Sequence, residues 1–154
     1  MLILSLDPGP QQTGYALLDD DDIVDAGVGL NEPMLDYIAA SDADRLAIEM
    51  IASYGMPVGR EVFETCVWIG RFYDRWMTSG ADYGVHKPLL IPRQDVKLHL
   101  CKSPRANDAN IRQALIDRYG APGTKKQKGK TYGVKSHAWP ALAVACTAQH
   151  LLGE

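Results

Sequence analysis

The sequence predicts a single α/β domain built around a mixed sheet. Three short apolar runs separated by turns open the chain, and the later apolar segments alternate between helix-like and strand-like spacing. Strands joined by short connections form an antiparallel meander, whereas strands separated by helices can pair in parallel. A length of 154 residues with 46% hydrophobic residues suits one compact domain over Met1–Glu154 with a full core.

The meander occupies the start of the chain. Its first strand ends at Asp7, because the proline and glycine residues that follow cannot continue a regular strand. A run of four aspartates is typical of a solvated hairpin turn. The predicted strands are Leu2–Leu6, Gly14–Leu18 and Ile23–Leu30, with the turn at Asp19–Asp22.

Helices and strands alternate over the rest of the chain. The longest helical pattern is Glu61–Ser79, where apolar residues recur at steps of three and four. A second helix over Ala106–Tyr119 has Asn107 or Asp108 as its N-cap, and Gly120–Lys135 is a basic linker without periodicity. The other elements are a helix over Pro33–Ser41, strands over Asp44–Ile51 and Val85–Ile91, and a final helix over Ser136–Leu152.

Charge is segregated along the chain. The formal net charge of −3 argues mildly against a nucleic-acid partner, but acidic residues dominate the first half and basic residues dominate from Lys87 to Lys135. No signal peptide and no membrane-spanning stretch is expected. The three scattered cysteines have no metal-ligand spacing and are expected to be reduced, which favours a cytoplasmic protein.

Two carboxylates give the strongest functional signal. Asp7 ends the first strand, and Glu49 interrupts the apolar run of the fourth. If these strands are neighbours, the two carboxylates lie side by side, which is costly unless a cation sits between them. Magnesium and manganese both prefer oxygen ligands. His137 opens the last helix and could project onto the same site.

Four segments, in this order and spacing, cover nearly the whole chain. They read LSLDPGPQQTGYALL at Leu4–Leu18, LAIEMI at Leu46–Ile51, IPRQDVKLHL at Ile91–Leu100 and SHAWPALAVA at Ser136–Ala145. The ordered set resembles the RuvC-type Holliday junction resolvases of the ribonuclease H-like superfamily, and within them the short resolvase-like proteins of phages. The resemblance implies a ribonuclease H-like fold, with a five-stranded mixed sheet flanked by helices.

The activity that the resemblance implies is metal-dependent hydrolysis of phosphodiester bonds in branched DNA. Asp7 and Glu49 match the family's first two metal-binding acids, and His137 matches the third position, which is usually aspartate. Pro140 stands where the family has a fourth acid, and Asp108 is an alternative source of that carboxylate. Two divalent ions, Mg²⁺ or Mn²⁺, are expected about 4 Å apart. His137 would bind or orient at one ion or act as general base, and its imidazole suits manganese better than magnesium.

The basic second half is expected to contact DNA. Lysine and arginine neutralise phosphates with little base specificity, and a tyrosine can stack on an unpaired base. The predicted nucleic-acid contacts are Tyr54, Lys97, Lys102, Arg105, Lys125, Lys126, Lys128, Lys130 and Lys135.

The resemblance also implies a homodimer. In the family the long central helix pairs two subunits, so the Glu61–Ser79 helix is the expected interface, with Trp68, Phe72 or Trp76 exposed on it. Three other functions remain open. They are an RNA-processing nuclease of the YqgF type, a branched-DNA-binding protein with weakened catalysis, and a phosphotransferase of the actin and sugar-kinase type, which would need a second such domain.

Overall fold

The computed structural model describes residues 1–79 and 85–153, and all elements below lie in those ranges. None of the helices found there is both long and apolar enough to cross a membrane. The strands are β1 (Leu2–Pro8), β2 (Gln12–Asp19), β3 (Asp22–Leu30), β4 (Arg45–Met50) and β5 (Leu89–Pro92). The helices are α1 (Asn31–Ala40), α2 (Arg60–Ser79), α3 (Arg93–Cys101), α4 (Asp108–Tyr119) and α5 (Ala138–Gly153).

The five strands form one mixed sheet in the order β3-β2-β1-β4-β5. Strands β1, β2 and β3 pair antiparallel, and β4 pairs in parallel with β1 and with β5. This confirms the predicted meander followed by parallel strands. It also places β1 and β4 side by side at the centre of the sheet.

Side chains alternate between two cores, one on each face of the sheet. Leu4 and Leu6 of β1 pack with α1 and α2. Ile3 packs with α3, α4 and α5 on the opposite face, where the Ser5 hydroxyl donates a hydrogen bond to the Ala141 carbonyl of α5. Because successive strand residues point to opposite faces, the residues at positions 3, 5 and 7 of β1 all face α5.

Helix α3 was not predicted from the sequence. Its apolar residues Val96, Leu98 and Leu100 alternate with polar ones, which is a strand-like spacing. In the structure the segment is helical after Pro92, and only Val96 within it is fully buried. Strand β5, which precedes α3, is shorter than the predicted Val85–Ile91 and spans Leu89–Pro92.

The N-cap of helix α4 is Asn107, one of the two residues predicted for this position. The Asn107 side chain accepts a hydrogen bond from the Asn110 backbone N–H, and the Asn110 side chain accepts one from the Asn107 backbone N–H. This reciprocal capping satisfies two backbone donors that a helix start otherwise leaves unpaired. Asp108 is therefore the first helical residue, and its carboxylate is not used as the cap.

The predicted exposure of the aromatic residues on α2 is wrong for two of the three. Phe72 and Trp76 are fully buried in the core against the sheet, and Trp68 is half-buried, with the Arg71 guanidinium 4.1 Å from the centre of its ring. The apolar residues that α2 does expose are Phe63 and Val67, each with 63% of its surface accessible. They lie one turn apart and so share one face of the helix.

The acidic turn between β2 and β3 is exposed, as predicted, but several elements are tied to it. Arg118 at the end of α4 lies 3.9 Å from the Asp21 carboxylate, and Lys130 of the linker lies 3.0 Å from that of Asp22. Gln149 of α5 donates a hydrogen bond of 2.8 Å to the backbone carbonyl of Asp20. The turn thus contacts α4, α5 and the linker.

Candidate active site

Asp7 and Glu49 lie side by side where β1 and β4 end. The parallel ladder pairs Leu4 with Leu46 and Leu6 with Ile48, so the next residues along the two strands are the two acids. Both point to the face covered by α5, because they follow the alternation of Ser5 and Ala47. Their side chains are only 18% and 13% exposed.

The electrostatics of the pair follow from burial and closeness. Burial raises the pKa of the Glu49 carboxyl, and the neighbouring Asp7 carboxylate raises it further. Burial also raises the pKa of Asp7, and hydrogen bonding to Glu49 offsets part of that rise. Without a cation, the pair therefore retains a proton at a pH where isolated carboxyls are ionised.

His137 also reaches this site. Its Nδ1 atom lies 3.6 Å from the Asp7 carboxylate, and its side chain remains 68% exposed. Gly14 makes this approach possible, because Gly14 pairs with Asp7 across the β1–β2 ladder and the His137 backbone packs directly on it. A Cβ atom at position 14 would collide with the His137 carbonyl. The structure thus brings together the three residues expected at the metal site.

Arg93 is one of the basic residues of the second half that were expected around the acidic site, but its direct contact with the carboxylates was not predicted. Its guanidinium lies 3.5 Å from the Glu49 carboxylate and also contacts the carboxylate of Asp108. Arg93 is the first residue of α3, directly after β5, and Pro92 of β5 pairs with Met50 of β4. Only this long-range pairing brings Arg93 to the acids, so no local sequence pattern could have shown it.

Three cavities lie at or near the site. One of about 230 Å³ is lined by Asp7, Glu49, Arg93 and Tyr54, so the tyrosine expected to stack on DNA opens onto the acidic pair. A second, of about 330 Å³, lies between the loop after β1 and His137. A third, of about 680 Å³, lies between α4 and the start of α5. Asp7 thus lines two of these cavities and Glu49 lines one of them, whereas the largest is lined by His137 and by neither acid.

A compact three-ligand metal cluster is not formed in this arrangement. Among residues 1–79 and 85–153, no group of three or more histidine, cysteine, aspartate or glutamate side chains has the geometry to hold a metal ion. Pro140 lies in the first turn of α5 and contributes no ligand. Asp108 is 80% exposed and is occupied by Arg93.

The lysines expected to contact DNA do not all lie near the carboxylates. Lys130 is bound to Asp22, at the end of the sheet where β1 begins. Five strand residues separate that end from Asp7, a distance of roughly 17 Å. The neighbouring Lys125, Lys126 and Lys128 are exposed in a loop closed by a hydrogen bond from the Gly129 backbone N–H to the Pro122 carbonyl.

The remaining basic residues lie in two places. Lys97 is one helical turn beyond Arg93 on α3, and Lys135 is exposed shortly before His137. Lys102 ends α3 in the left-handed backbone conformation, and Arg105 is exposed in the connection to α4. Lys97 thus follows Arg93 by four residues and Lys135 precedes His137 by two, and all of these residues remain predicted nucleic-acid contacts.

Comparison with solved structures identifies the architecture. A Thermus thermophilus RuvC structure matches with a TM-score of 0.72 and 15% sequence identity, covering 99% of this chain and 97% of the other. The chain has a RuvC-type, ribonuclease H-like fold. T. thermophilus RuvC in complex with a Holliday junction substrate matches with a TM-score of 0.65 and 16% identity, covering 96% of this chain and 92% of the other. At such identities the likeness to RuvC shows the fold alone.

The sequence itself gives no such match. Neither the protein-family models nor the curated proteins match it. The RuvC-like fold confirms the expected ribonuclease H-like α/β architecture, whereas the resemblance to phage proteins remains a prediction.

Proposed function

We propose that this chain is a metal-dependent endonuclease that hydrolyses phosphodiester bonds in branched DNA, with four-way junctions as its substrate. The observation that carries the proposal is the buried pair of Asp7 and Glu49 at the ends of two adjacent parallel strands. Like charges held this close, away from water, favour a cation between them. In this fold the pair also opens onto accessible cavities.

The residues present fit a divalent metal ion. Because the pKa values of Asp7 and Glu49 are both raised, the metal-free pair retains a proton, and a bound cation would replace that proton. Their carboxylate oxygens are the ligands that Mg²⁺ and Mn²⁺ prefer, and the imidazole of His137 beside Asp7 is a donor type that suits manganese better than magnesium. When bound, such an ion lowers the pKa of a water molecule and stabilises charge on a phosphoryl group.

The chain's own residues would position the substrate around this point. The His137 imidazole lies 3.6 Å from Asp7 and is open to solvent, so it can accept a proton from an attacking water. Arg93 faces the same cavity as the carboxylates and can donate hydrogen bonds to a phosphate. Tyr54, also on that cavity, offers an exposed ring for an unpaired base.

The proposed substrate rests on the fold and on the exposed basic residues. The solved RuvC with the same fold is seen in complex with a Holliday junction substrate. Here Tyr54 and the exposed lysines and arginines offer stacking and phosphate contacts. These contacts suit a distorted junction more than a uniform duplex, because unpaired bases are available there.

We further propose that the chain acts as a homodimer, which would place two sites on one junction. The interface we infer is the exposed face of α2 formed by Phe63 and Val67, in place of the buried Phe72 and Trp76. Exposed apolar side chains on adjacent helical turns are typical of surfaces that pack against a partner.

A second candidate is a branched-DNA-binding protein with weakened catalysis. Two observations favour it. Pro140, in the first turn of α5, provides no carboxylate, and Arg93 forms ion pairs with the carboxylates of Glu49 and Asp108. Such a protein would keep the surface for DNA and lose part of the metal-binding capacity. Binding without cutting is its expected signature.

The test is cleavage of a labelled four-way DNA junction with Mg²⁺ or Mn²⁺, beside linear duplex, single strand and structured RNA. We expect paired nicks near the junction that disappear in Asp7→Asn. Tight binding without cutting would favour the second candidate. Cutting of RNA alone would move the protein to the RNA-processing nucleases and contradict the proposal.

A further inference from the structure

The contacts of Arg93 set the charge balance of the site. The guanidinium lies 3.5 Å from Glu49 and contacts Asp108, so one cation of the chain bridges a buried and an exposed carboxylate. Asp108 lies close enough for its charge to act on Asp7 as well. Three carboxylates therefore surround a region that already contains one fixed positive charge.

That fixed charge limits the number of metal ions the site can hold. Three ionised carboxylates carry three negative charges, and Arg93 neutralises one of them. The two that remain balance a single divalent ion. A second divalent ion would leave the site with excess positive charge in a partly buried environment, which is unfavourable.

The position of Arg93 also suits a role toward substrate. Its side chain is 36% exposed and lines the 230 Å³ cavity together with Asp7 and Glu49. The planar guanidinium carries five N–H donors, and two carboxylates use only some of them. Free donors on the cavity side can bind phosphoryl oxygens in a bidentate manner.

We propose that the site takes one divalent ion per chain, at the carboxylates of Asp7 and Glu49, and that Arg93 provides the second positive charge, which binds the phosphate. The inference rests on the proposed nuclease function. It adds that the two cations of the site differ in kind, one a metal ion and the other part of the protein.

The test counts bound Mn²⁺ by electron paramagnetic resonance, using the full chain without DNA. We expect one ion per chain for the wild type. Arg93→Gln removes the fixed charge and should bind a second ion. Arg93→Lys keeps the charge and should again bind one.

The matched control is Arg75→Gln. Arg75 is 37% exposed, close to the exposure of Arg93, and pairs with Asp36 at 3.8 Å on the opposite side of the fold. The Arg75→Gln variant should still bind one Mn²⁺ ion per chain. Unfolding curves of each variant show whether the fold is kept.

Three outcomes would overturn the inference. They are two ions bound by the wild type, no ion bound by the wild type, or an unchanged count of one in a folded Arg93→Gln. Because ion counting needs no cleavage, these outcomes are distinct from a failure of the junction assay. A chain that cuts junctions with two bound ions would keep the proposed function and lose this inference.

Discussion

At the scale of single residues, the proposed chemistry depends on Asp7. Its carboxylate contacts both Glu49 and His137, so it is the one side chain in the described residues that joins both partners. Asp7→Asn keeps the shape of the side chain but removes its charge. We expect cleavage to fall by at least about 10²-fold, since charge stabilisation in the transition state is lost.

Junction binding should be unchanged in Asp7→Asn, because the basic residues remain. Cleavage rates and gel-shift affinities measured on the same preparation check both parts. Asp36→Asn, at a side chain 89% exposed, is the control and should behave as wild type. Retained cleavage in Asp7→Asn would remove Asp7 from the mechanism.

The raised pKa of Glu49 makes a second prediction, on pH and stability. Burial and the Asp7 carboxylate raise this pKa from an ordinary value of 4.5 to about 8, so the folded protein binds a proton that the unfolded chain has released. The stabilisation is complete below pH 4.5 and is lost as the pH rises toward 8. The melting temperature of the metal-free protein should therefore fall over this range.

Two further measurements, on Glu49→Gln and with added Mn²⁺, test whether ionisation of Glu49 causes this pH dependence of the melting temperature. Glu49→Gln cannot ionise, so its melting temperature should be flatter between pH 5 and 8 and higher than that of the wild type at pH 8. Mn²⁺ should raise the melting temperature of the wild type most at pH 8, where the proton no longer occupies the pair. A wild-type melting temperature that rises with pH, unchanged in Glu49→Gln, would contradict the electrostatic account.

Asp7 and Glu49 could be predicted from the sequence because each breaks a local pattern. A carboxylate in a buried apolar strand is energetically costly unless it is paired. A second acid at the end of a neighbouring strand therefore suggests that a cation binds both. The contact of Arg93 with Glu49 could not be predicted in the same way. Its role depends on the pairing of β5 with β4, which no spacing within the sequence expresses.

At the scale of elements, the contact between β2 and the start of α5 places His137. Gly14→Ala adds a methyl group where the His137 backbone already packs, so the start of α5 must move. We expect a destabilisation of about 1–3 kcal/mol, as is usual for overpacking, together with reduced cleavage. Thermal unfolding and junction cleavage measure the two effects.

The control for this variant is Gly59→Ala, where an added Cβ meets no atom within 4 Å. It should change neither stability nor cleavage appreciably. If Gly14→Ala retains full stability and activity, the approach of α5 to β2 is not what positions His137.

The loop between Pro122 and Gly129 gives a prediction on DNA binding. Replacing Lys125, Lys126 and Lys128 with glutamine should weaken junction binding and reduce its salt dependence, by about 0.9 in the log–log slope for each lysine that contacts phosphate. Affinities measured at several salt concentrations give the slope. An unchanged slope would show that this loop does not touch DNA.

Lys130→Gln is the matched control from the same loop region. Lys130 is 3.0 Å from the Asp22 carboxylate and is already neutralised. Replacing Lys130 should therefore change the salt slope less than replacing Lys125 or Lys126, which are exposed in the loop. A large effect of Lys130→Gln alone would mean that DNA displaces Asp22.

Sequence periodicity identified the long α2 helix but not which of its faces meets the sheet. Glu61–Ser79 carries apolar residues on more than one stripe, so Phe72 and Trp76 could be assigned either to the core or to an interface. The structure puts both in the core and leaves Phe63 and Val67 outside. No element was predicted over α3, because its apolar residues alternate with polar ones and lack the helical spacing.

At the scale of the whole molecule, the exposed α2 face predicts the oligomeric state. Phe63→Ser combined with Val67→Asp should convert a dimer into a monomer, because it removes two exposed apolar side chains and adds a charge. Sedimentation velocity measures the change. Cleavage should shift from paired nicks to single nicks.

The matched control is Val24→Ser on β3, at a side chain 57% exposed and on another element. It should leave the sedimentation coefficient unchanged. A wild type that sediments as a monomer even when bound to a junction would contradict the proposed dimer.

The acidic turn at the other end of the sheet has a consequence for protein engineering. Short surface turns between strands are the usual places to insert a peptide tag or to join permuted termini. Here the turn holds Arg118, Lys130 and Gln149, from two helices and the linker. An insertion between Asp20 and Asp21 would release all three, so this turn should tolerate changes in loop length poorly despite its exposure.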